Sequence, residues 1–347
     1  MLSIYISYSW GGIMRVHITR LNGILGAAGF AQHKVAEIAH ALGYIEMGLY
    51  KIPEFLDDDN EQNHRLDGII SSLKSGDVVI LQYPTWNGGR YEEAFIKHIK
   101  GYKDCKLVVW VQDVEALQLD PQRTHIKYQA GVLSRADVLI LPSKRMYQVL
   151  VEAGLSIPED RIVYQKVWDY PTECLIEKHA FEKKMIFTGN PKRFSFVNSY
   201  KLSTPMELYA ERDIEKRFDQ NVIYKGYKEG MEFFIESAKG GFGLVWADDD
   251  YFQQYYCMNQ PYKLGVFLAQ GLPVVIRKGT AQEDFIREQG LGLLVESLEE
   301  ADEKIQTMTE TEYQKLCQNV KKVQRLITKG IYTQQILVDA VICAYEH

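Results

Sequence analysis

Short apolar runs alternate along this chain with segments long enough to form a helix. Residues 78–82 (VVILQ) and 107–111 (LVVWV) flank a helix-length segment at residues 91–100. A strand that is apolar at almost every position is typical of a parallel sheet, because helices cover both of its faces. The alternation therefore predicts βαβ units and an α/β fold.

The alternation pauses near residue 170 and then begins again. Further strands are predicted at residues 16–19, 135–142, 161–167, 185–188, 221–224, 243–246, 273–276 and 292–295. A length of 347 residues is sufficient for two domains. We predict two Rossmann-like, doubly wound domains that face each other across a cleft. The boundaries are an N-terminal extension at residues 1–13, a first domain at 14–168 and a second domain with C-terminal helices at 169–347.

The composition excludes several classes of protein. Apolar residues make up 46% and charged residues 25%, which is usual for a globular protein. The formal net charge of −6 disfavours non-specific nucleic-acid binding, because no excess of cations is available to displace counterions from phosphates. The five cysteines have neither zinc-site nor disulfide-framework spacing. The apolar runs are too short to cross a membrane, so we expect a cytoplasmic protein without a transmembrane segment.

One positively charged residue follows a predicted strand, and another lies in the first turn of a predicted helix. Lys263 lies in the first turn of a helix predicted at residues 262–270, and Arg193 follows the strand at residues 185–188. A helix N-terminus attracts phosphate, and arginine presents forked donors to it. Each cation is alternatively a solvated surface residue. Tyr227, which follows the strand at residues 221–224, is a candidate for packing on uracil or ribose.

A glycine-rich turn follows the first predicted strand. Gly23, Gly26 and Gly29 have the spacing G-x-x-G-x-x-G, which differs from the G-x-G-x-x-G of nicotinamide-cofactor proteins. The chain also lacks a P-loop and a G-x-S-x-G motif. These patterns argue against a dehydrogenase, a P-loop protein and an α/β-hydrolase.

Asp113 follows the strand at residues 107–111, where a carboxylate is either a general base or a helix N-cap. Glu115 and His17 are the next candidates for a base, although His17 and His33 are better explained as structural histidines. The acidic run at residues 248–250 is interpreted as a solvated turn. No cluster has metal-ligand spacing, so we expect no metal cofactor.

Several motifs of the second half occur together in one enzyme class. They are residues 189–193, 241–246, 259–263, 269–275 and 290–295. This half resembles the nucleotide-sugar-binding domain of GT-B glycosyltransferases. From residue 14 onwards, the chain resembles the bacterial glucosyltransferases that extend O-linked GlcNAc on serine-rich-repeat adhesins. It is also similar to bacterial β-1,6-galactofuranosyltransferases, and residues 83–84, 111–113 and 167–170 fit the first half of that wider family.

The resemblance implies roles for individual residues. Arg193 and Lys263 would bind the diphosphate of a nucleotide sugar, Tyr227 would flank the uridine, and Asn259 would shape the loop before Lys263. Gly26 and Gly29 would line the cleft from the first domain, and Asp113 would be the catalytic base. Val266 stands where many GT-B enzymes have a ribose-binding Glu, and Gln112 stands where a His is frequent.

The resemblance also implies the activity. The expected function is transfer of a hexose, glucose from UDP-glucose, to a GlcNAc-modified protein by an enzyme that needs no metal. The alternatives are a UDP-galactofuranose-dependent transferase of polysaccharide synthesis and a non-catalytic partner subunit. The expected partners are the UDP-sugar, a glycoprotein or glycan acceptor and further copies of the chain, in a dimer or tetramer. The regions around residues 83–90 and 22–30 are expected to contact the acceptor.

Overall fold

The computed structural model describes residues 14–24, 26–53, 56–119, 123–176, 179–211 and 218–347. The predicted extension at residues 1–13 lies outside this range. The chain divides into two compact units, one formed by the residues up to Gln165 together with Thr333–His347, the other by Lys166–Tyr332.

The first unit contains a six-stranded parallel sheet. Its strands are β1 (Val16–Asn22), β2 (Ile45–Tyr50), β3 (Val78–Tyr83), β4 (Lys106–Val111), β5 (Val138–Leu141) and β6 (Ile162–Tyr164). They lie in the order β2-β1-β3-β4-β5-β6. Every residue of β3 is buried, as expected for a central strand of a parallel sheet. The helices between the strands are α1 (Ala27–Ala41), α2 (Asp59–Ile70), α3 (Gly89–Lys100), α4 (Glu115–Gln118), α5 (Ile126–Leu133) and α6 (Lys144–Glu152).

The second unit also contains a six-stranded parallel sheet. Its strands are β7 (Ala180–Thr188), β8 (Met206–Tyr209), β9 (Val222–Tyr224), β10 (Gly240–Val245), β11 (Val274–Arg277) and β12 (Gly292–Val295). Their order, β12-β11-β10-β7-β8-β9, is that of a Rossmann fold. Its helices are α7 (Gly230–Ser237), α8 (Asp250–Tyr256), α9 (Tyr262–Ala269), α10 (Glu283–Gln289), α11 (Leu298–Thr307) and α12 (Glu310–Ile327).

The last helix, α13 (Ile331–Glu346), belongs mainly to the first unit, whereas the sequence analysis placed the whole C-terminal tail in the second domain. The hydroxyl of Tyr345 donates a 2.9 Å hydrogen bond to the carbonyl oxygen of Gly76. The thiol of Cys343 lies 3.5 Å from the carbonyl oxygen of Asp160. These contacts are with residues distant in sequence, so the pattern of the helix itself does not reveal them. The boundary between the two domains also differs slightly from the predicted one, because it lies at residues 165/166 rather than 168/169.

Candidate active site

The strand order of the second unit reverses between β7 and β10, which are neighbours although β8 and β9 separate them in the chain. Ligands of open α/β sheets bind beside such a reversal, at the carboxyl ends of the strands. The loops after β7 and β10 begin at this edge, and α9 starts there. The topology therefore places the candidate site at these three segments.

Two glycines allow α9 to pack very closely on its neighbours. A Cβ atom on Gly243 of β10 would lie 2.3 Å from the ring of Phe267, and one on Gly265 would lie 2.2 Å from the carbonyl oxygen of Trp168. A larger residue does not fit at either position without movement of the helix. This packing fixes the first turn of α9, whose free N–H groups carry a partial positive charge, at the edge of the sheet.

Lys263 lies in that first turn and points to the end of β7. Its Nζ atom donates a 2.8 Å hydrogen bond to the carbonyl oxygen of Thr188 and lies 4.5 Å and 4.4 Å from the ring centres of Phe187 and Phe194. Burial, together with the charge of Arg193, lowers the pKa of Lys263 to about 7. In the described part of the chain, no carboxylate pairs with this ammonium group.

Arg193 lies next to Lys263, in the turn after β7. Its guanidinium carbon lies 4.3 Å from the ring centre of Phe252 and 5.6 Å from that of Phe194. The side chain is exposed, and among the described residues it has no ion-pair partner. Phe194 therefore contacts both cations. Two cations held on aromatic rings without a counter-charge repel each other, and a bound diphosphate would offset that repulsion.

A hydrogen bond connects the loops that follow β7 and β10. The hydroxyl of Ser195 donates to Oδ2 of Asp248 at 2.7 Å. Asp249 accepts hydrogen bonds from the backbone N–H groups of Tyr251 and Phe252 and so caps α8, which carries the Phe252 ring. Asp249 and Asp250 are exposed, as expected for a solvated acidic run, and the run also has a structural role, because Asp248 bonds to Ser195 and Asp249 caps α8.

The other two residues predicted to bind nucleotide in this unit lie farther along the chain. Asn259 is buried between α8 and α9, where its Nδ2 atom donates a 2.7 Å hydrogen bond to the hydroxyl of Tyr255 and thus orders the loop before Lys263. Tyr227 follows β9, two strands away from β7, and is 51% exposed with its hydroxyl bonded to Glu229. The structure brings Arg193 and Lys263 together, and the contact of Tyr227 with uridine stays a prediction.

In the first unit, the predicted residues follow β1 and β4. Gly26 precedes α1 and Gly29 lies in its first turn. Asp113 is half-buried between β4 and α4. Helix α4 begins at Glu115 and Val114 is at its N-cap position, while the backbone N–H of Ala116 donates a 3.0 Å hydrogen bond to Oε1 of Gln129. Asp113 therefore precedes the N-cap position, and its role as a base stays a prediction.

The two histidines of the first unit have structural roles. Nε2 of His17 lies 3.0 Å from Oδ2 of Asp77, which also forms a 2.6 Å ion pair with Arg15. Asp77 directly precedes β3 and His17 lies near the start of β1, so both are at the amino ends of the strands, opposite the ligand edge. Burial lowers the pKa of His17. His17 is thus wrong as a reserve base. His33 contacts the carbonyl oxygen of Leu21 at 2.7 Å, which confirms a structural histidine.

A buried carboxyl group in the first turn of α3 is not predicted from the sequence. Oε1 of Glu92 accepts a 2.6 Å hydrogen bond from the backbone N–H of Thr85, and the side chain is fully buried. Burial, and less strongly Glu115, raises the pKa of Glu92 to about 8. A Glu in the first turn of a helix is usually an exposed residue that complements the helix dipole. The sequence contains no signal that Glu92 is buried instead.

The described residues contain neither a metal-binding cluster nor a membrane-spanning helix. No group of three or more His, Cys, Asp or Glu side chains is placed to hold a metal ion. No helix in this part of the chain has the length and apolar character needed to cross a membrane.

Comparisons with known proteins agree with this architecture. Residues 15–167 match the glucosyltransferase 3-like N-terminal domain, and residues 185–340 match the glucosyltransferase 3-like C-terminal domain. Glucosyltransferase 3 of Streptococcus parasanguinis is 36% identical over 335 residues, which cover 95% of this chain and 99% of that protein. The β-1,6-galactofuranosyltransferase WbbI of Escherichia coli is 24% identical over 80% of this chain and 83% of its own length.

The fold has solved counterparts. The Anabaena protein HepE, crystallised with UDP and glucose, superimposes with a TM-score of 0.62 at 12% identity, covering 94% of this chain and 99% of that one. This similarity confirms the predicted GT-B fold. The prediction of a glycosyltransferase is also confirmed, while the donor sugar and the acceptor stay predictions. The chain belongs to the glucosyltransferase 3-like family of glycosyltransferases.

Proposed function

We propose that this protein transfers glucose from UDP-glucose to a GlcNAc-bearing protein acceptor without a metal ion. The observation that carries the proposal is the pair Arg193 and Lys263, two cations without carboxylate partners in the described chain, at the strand reversal of the second unit. The 36% identity to Glucosyltransferase 3 of Streptococcus parasanguinis supports glucose as the donor sugar.

The chemistry follows from the charges. Transfer breaks the bond between C1 of the sugar and the diphosphate oxygen, so negative charge develops on the leaving UDP. Arg193, Lys263 and the free N–H groups of α9 would stabilise that charge, the role that a metal ion has in other transferases. The acceptor oxygen forms the new bond to C1, and its proton passes to Asp113.

Two alternatives stand beside this proposal. A galactofuranose donor is suggested by the similarity to WbbI, but this relationship is weaker than the one to Glucosyltransferase 3, which supports glucose. A non-catalytic partner subunit is the alternative from another class. Such a subunit would have no need for Arg193 and Lys263 at the strand reversal, so their presence favours an enzyme.

A panel of nucleotide sugars tests the proposal. UDP-glucose, UDP-galactofuranose and UDP-GlcNAc are compared by thermal shift and by hydrolysis, in EDTA and with added Mg²⁺ or Mn²⁺. We expect UDP-glucose to be preferred and UDP to stabilise the protein in EDTA, by about 2.7 kcal/mol at 100-fold saturation. Stabilisation that requires the metal contradicts the site, and preference for another sugar contradicts the donor.

The proposal also includes the oligomeric state and the location of the protein. From the family resemblance, we expect a homo-oligomer, either a dimer or a tetramer, in the cytoplasm. Light scattering coupled to gel filtration measures the mass in solution. A mass equal to a single chain at micromolar concentration contradicts the oligomer, and fractionation of the source cells tests the location.

A further inference from the structure

The loop between β3 and α3 lies at the ligand edge of the first unit. In this sheet, the strand order reverses between β1 and β3, which are neighbours with β2 on the outer side of β1. Residues 84–88 directly follow β3, so they begin at the carboxyl end beside that reversal. This is the position where an open α/β sheet binds ligands.

Trp86 adopts an uncommon backbone conformation in this loop. Its φ angle is 57°, in the left-handed region that bulky residues rarely occupy. The other non-glycine residues with positive φ among those described, Asp104 and Arg123, are polar. Strained backbone of this kind persists where the surrounding structure holds it and is concentrated at functional sites.

Two residues hold the loop to the segment after β2. The ammonium group of Lys51 donates a hydrogen bond to the carbonyl oxygen of Trp86 itself. Oδ1 of Asn87 accepts a 2.8 Å bond from the backbone N–H of Ile52, and its Nδ2 donates a 3.1 Å bond to the carbonyl oxygen of Tyr50. These bonds fix the backbone on both sides of the strained residue.

Two further side chains hold the first half of the loop. Nε2 of Gln32 donates a 3.0 Å hydrogen bond to the carbonyl oxygen of Pro84, and Oε1 of Glu92 accepts from the backbone N–H and the hydroxyl of Thr85 at 2.6 Å and 3.2 Å. Gln32 and Glu92 are themselves almost fully buried. Together with the bonds of Lys51 and Asn87, these hydrogen bonds hold residues 84–87 in place.

The indole ring of Trp86 takes no part in these hydrogen bonds. Trp86 is half-buried, and within the described chain its ring stacks on no other aromatic residue and its N–H has no acceptor. An indole combines a large flat apolar face with one hydrogen-bond donor at its edge. A pyranose ring has the matching surface, an apolar face of C–H groups bordered by hydroxyl oxygens.

We propose that Trp86 is the platform of an acceptor subsite, which packs on the apolar face of a pyranose ring of the acceptor. The inference rests on the proposed function and adds the residue that recognises the acceptor sugar. Gln32, Lys51, Asn87 and Glu92 are positioning residues that present the indole at the edge of the sheet.

Steady-state kinetics of Trp86→Ala and Trp86→Phe test the subsite. Alanine keeps the side-chain constraint on φ but removes the ring, whereas phenylalanine keeps an aromatic face. We expect Trp86→Ala to raise KM for a GlcNAc-bearing peptide about tenfold, the loss of one moderate contact. Its UDP thermal shift and acceptor-free hydrolysis of UDP-glucose should stay within about twofold, and Trp86→Phe should restore most of the affinity. An unchanged acceptor KM in Trp86→Ala overturns the proposal.

A second measurement needs neither turnover nor a stable alanine variant. In the full-length protein labelled with 5-fluorotryptophan, the ¹⁹F resonance that is missing from Trp86→Phe belongs to Trp86. We expect it to shift on addition of methyl β-GlcNAc, and a resonance that stays in place up to the solubility limit of the glycoside overturns the proposal. If the wild type neither hydrolyses nor transfers any UDP-sugar, the proposed function fails separately, and this shift still decides the sugar subsite.

Discussion

The ammonium group of Lys263 donates a 2.8 Å hydrogen bond to the carbonyl oxygen of Thr188, the last residue of β7. A carbonyl satisfies one of the three N–H donors but supplies no negative charge. The charge of Arg193 acts on this group, and it is also positive. Among the described residues, this ammonium group therefore has no counter-charge until an anion binds.

Binding of UDP should consequently be accompanied by proton uptake. Because the pKa of Lys263 is about 7 in the free protein, this group is mostly neutral at pH 8, and a bound diphosphate should restore its charge. The phosphates of UDP are already ionised at that pH. We expect an uptake of about one proton, measured by titration calorimetry at pH 8 in two buffers with different ionisation enthalpies.

Lys263→Arg is the matched control for that experiment, since a guanidinium keeps its charge at pH 8. It should bind UDP with no dependence of the observed enthalpy on the buffer. Equal proton uptake in the wild type and in Lys263→Arg would assign the effect to another group.

Removal of either cation should decrease turnover far more than it decreases stability. Arg193→Ala and Lys263→Ala each remove one charge from the site of the leaving diphosphate, and such a loss typically costs about 10²–10³ in rate. The control is Lys192→Ala, which removes an exposed cation from the same turn. Similar kcat values for all three variants would refute a specific diphosphate site.

The hydrogen bond between Ser195 and Asp248 should matter through Arg193. Loss of this bond frees the loop after β7, so Ser195→Ala should weaken UDP binding by about fivefold, the effect of one hydrogen bond. In the Arg193→Ala background, Ser195→Ala should have almost no further effect, because coupled residues are not additive. UDP dissociation constants of the four proteins complete this cycle.

Ser199→Ala provides the comparison, because this hydroxyl lies in the same short 3-10 helix and, among the described residues, bonds only to the carbonyl oxygen of Phe196. It should leave UDP affinity unchanged. If the effects of Ser195→Ala and Arg193→Ala on UDP affinity are additive, the hydrogen bond between Ser195 and Asp248 does not act through Arg193.

The sequence predicts most strands of the two sheets because these strands are largely apolar, but it misses β2 and β8, each of which contains a Glu. β3, β4 and β12 are found almost residue for residue, whereas β7 begins at Ala180 rather than Met185. The missed part contains charged residues, and the structure shows their partners: Lys184 pairs with Glu182 and with Glu207 on the neighbouring strand β8. Charged residues that are paired with a neighbouring strand resemble loop residues in the sequence, because the sequence does not show their partners.

The same limit applies to the candidate site. Strand ends and helix starts can be located from sequence, so Arg193 and Lys263 are found. The rings of Phe194 and Phe252 that hold them come from a turn and from α8, a helix read as a loop because it begins in an acidic run. Their convergence depends on the order of β7 and β10 in the sheet, which the alternation of elements does not specify.

Glu92 should make the protein less stable as the pH rises. Its pKa is about 8 in the folded protein and 4.5 in a free side chain, so the folded state retains a proton that the unfolded state has released between these values. The free energy of unfolding therefore falls with pH across this window, by at most about 1.4 kcal/mol per pH unit for this group. Urea denaturation at several pH values measures the slope.

Glu92→Gln removes this titration while its amide oxygen still accepts the hydrogen bond from Thr85. We expect the variant to show a shallower loss of stability between pH 5 and about 8, and to be more stable than the wild type at the upper end. Parallel stability curves for the two proteins would show that Glu92 is not the responsible group.

Asp113 is the candidate that activates the acceptor hydroxyl, and the structure makes its test clean. Because Val114 is the N-cap of α4, replacement of Asp113 by Asn removes the proton acceptor without removal of a helix cap. Loss of a general base should lower kcat by about 10²–10⁴ while the Kd for UDP is retained. Glu115→Gln, two residues away in the first turn of α4, is the matched control and should retain most activity. If Asp113→Asn keeps the wild-type kcat and Glu115→Gln loses it, the base is Glu115, and the acceptor approaches from the side of α4 instead of the end of β4.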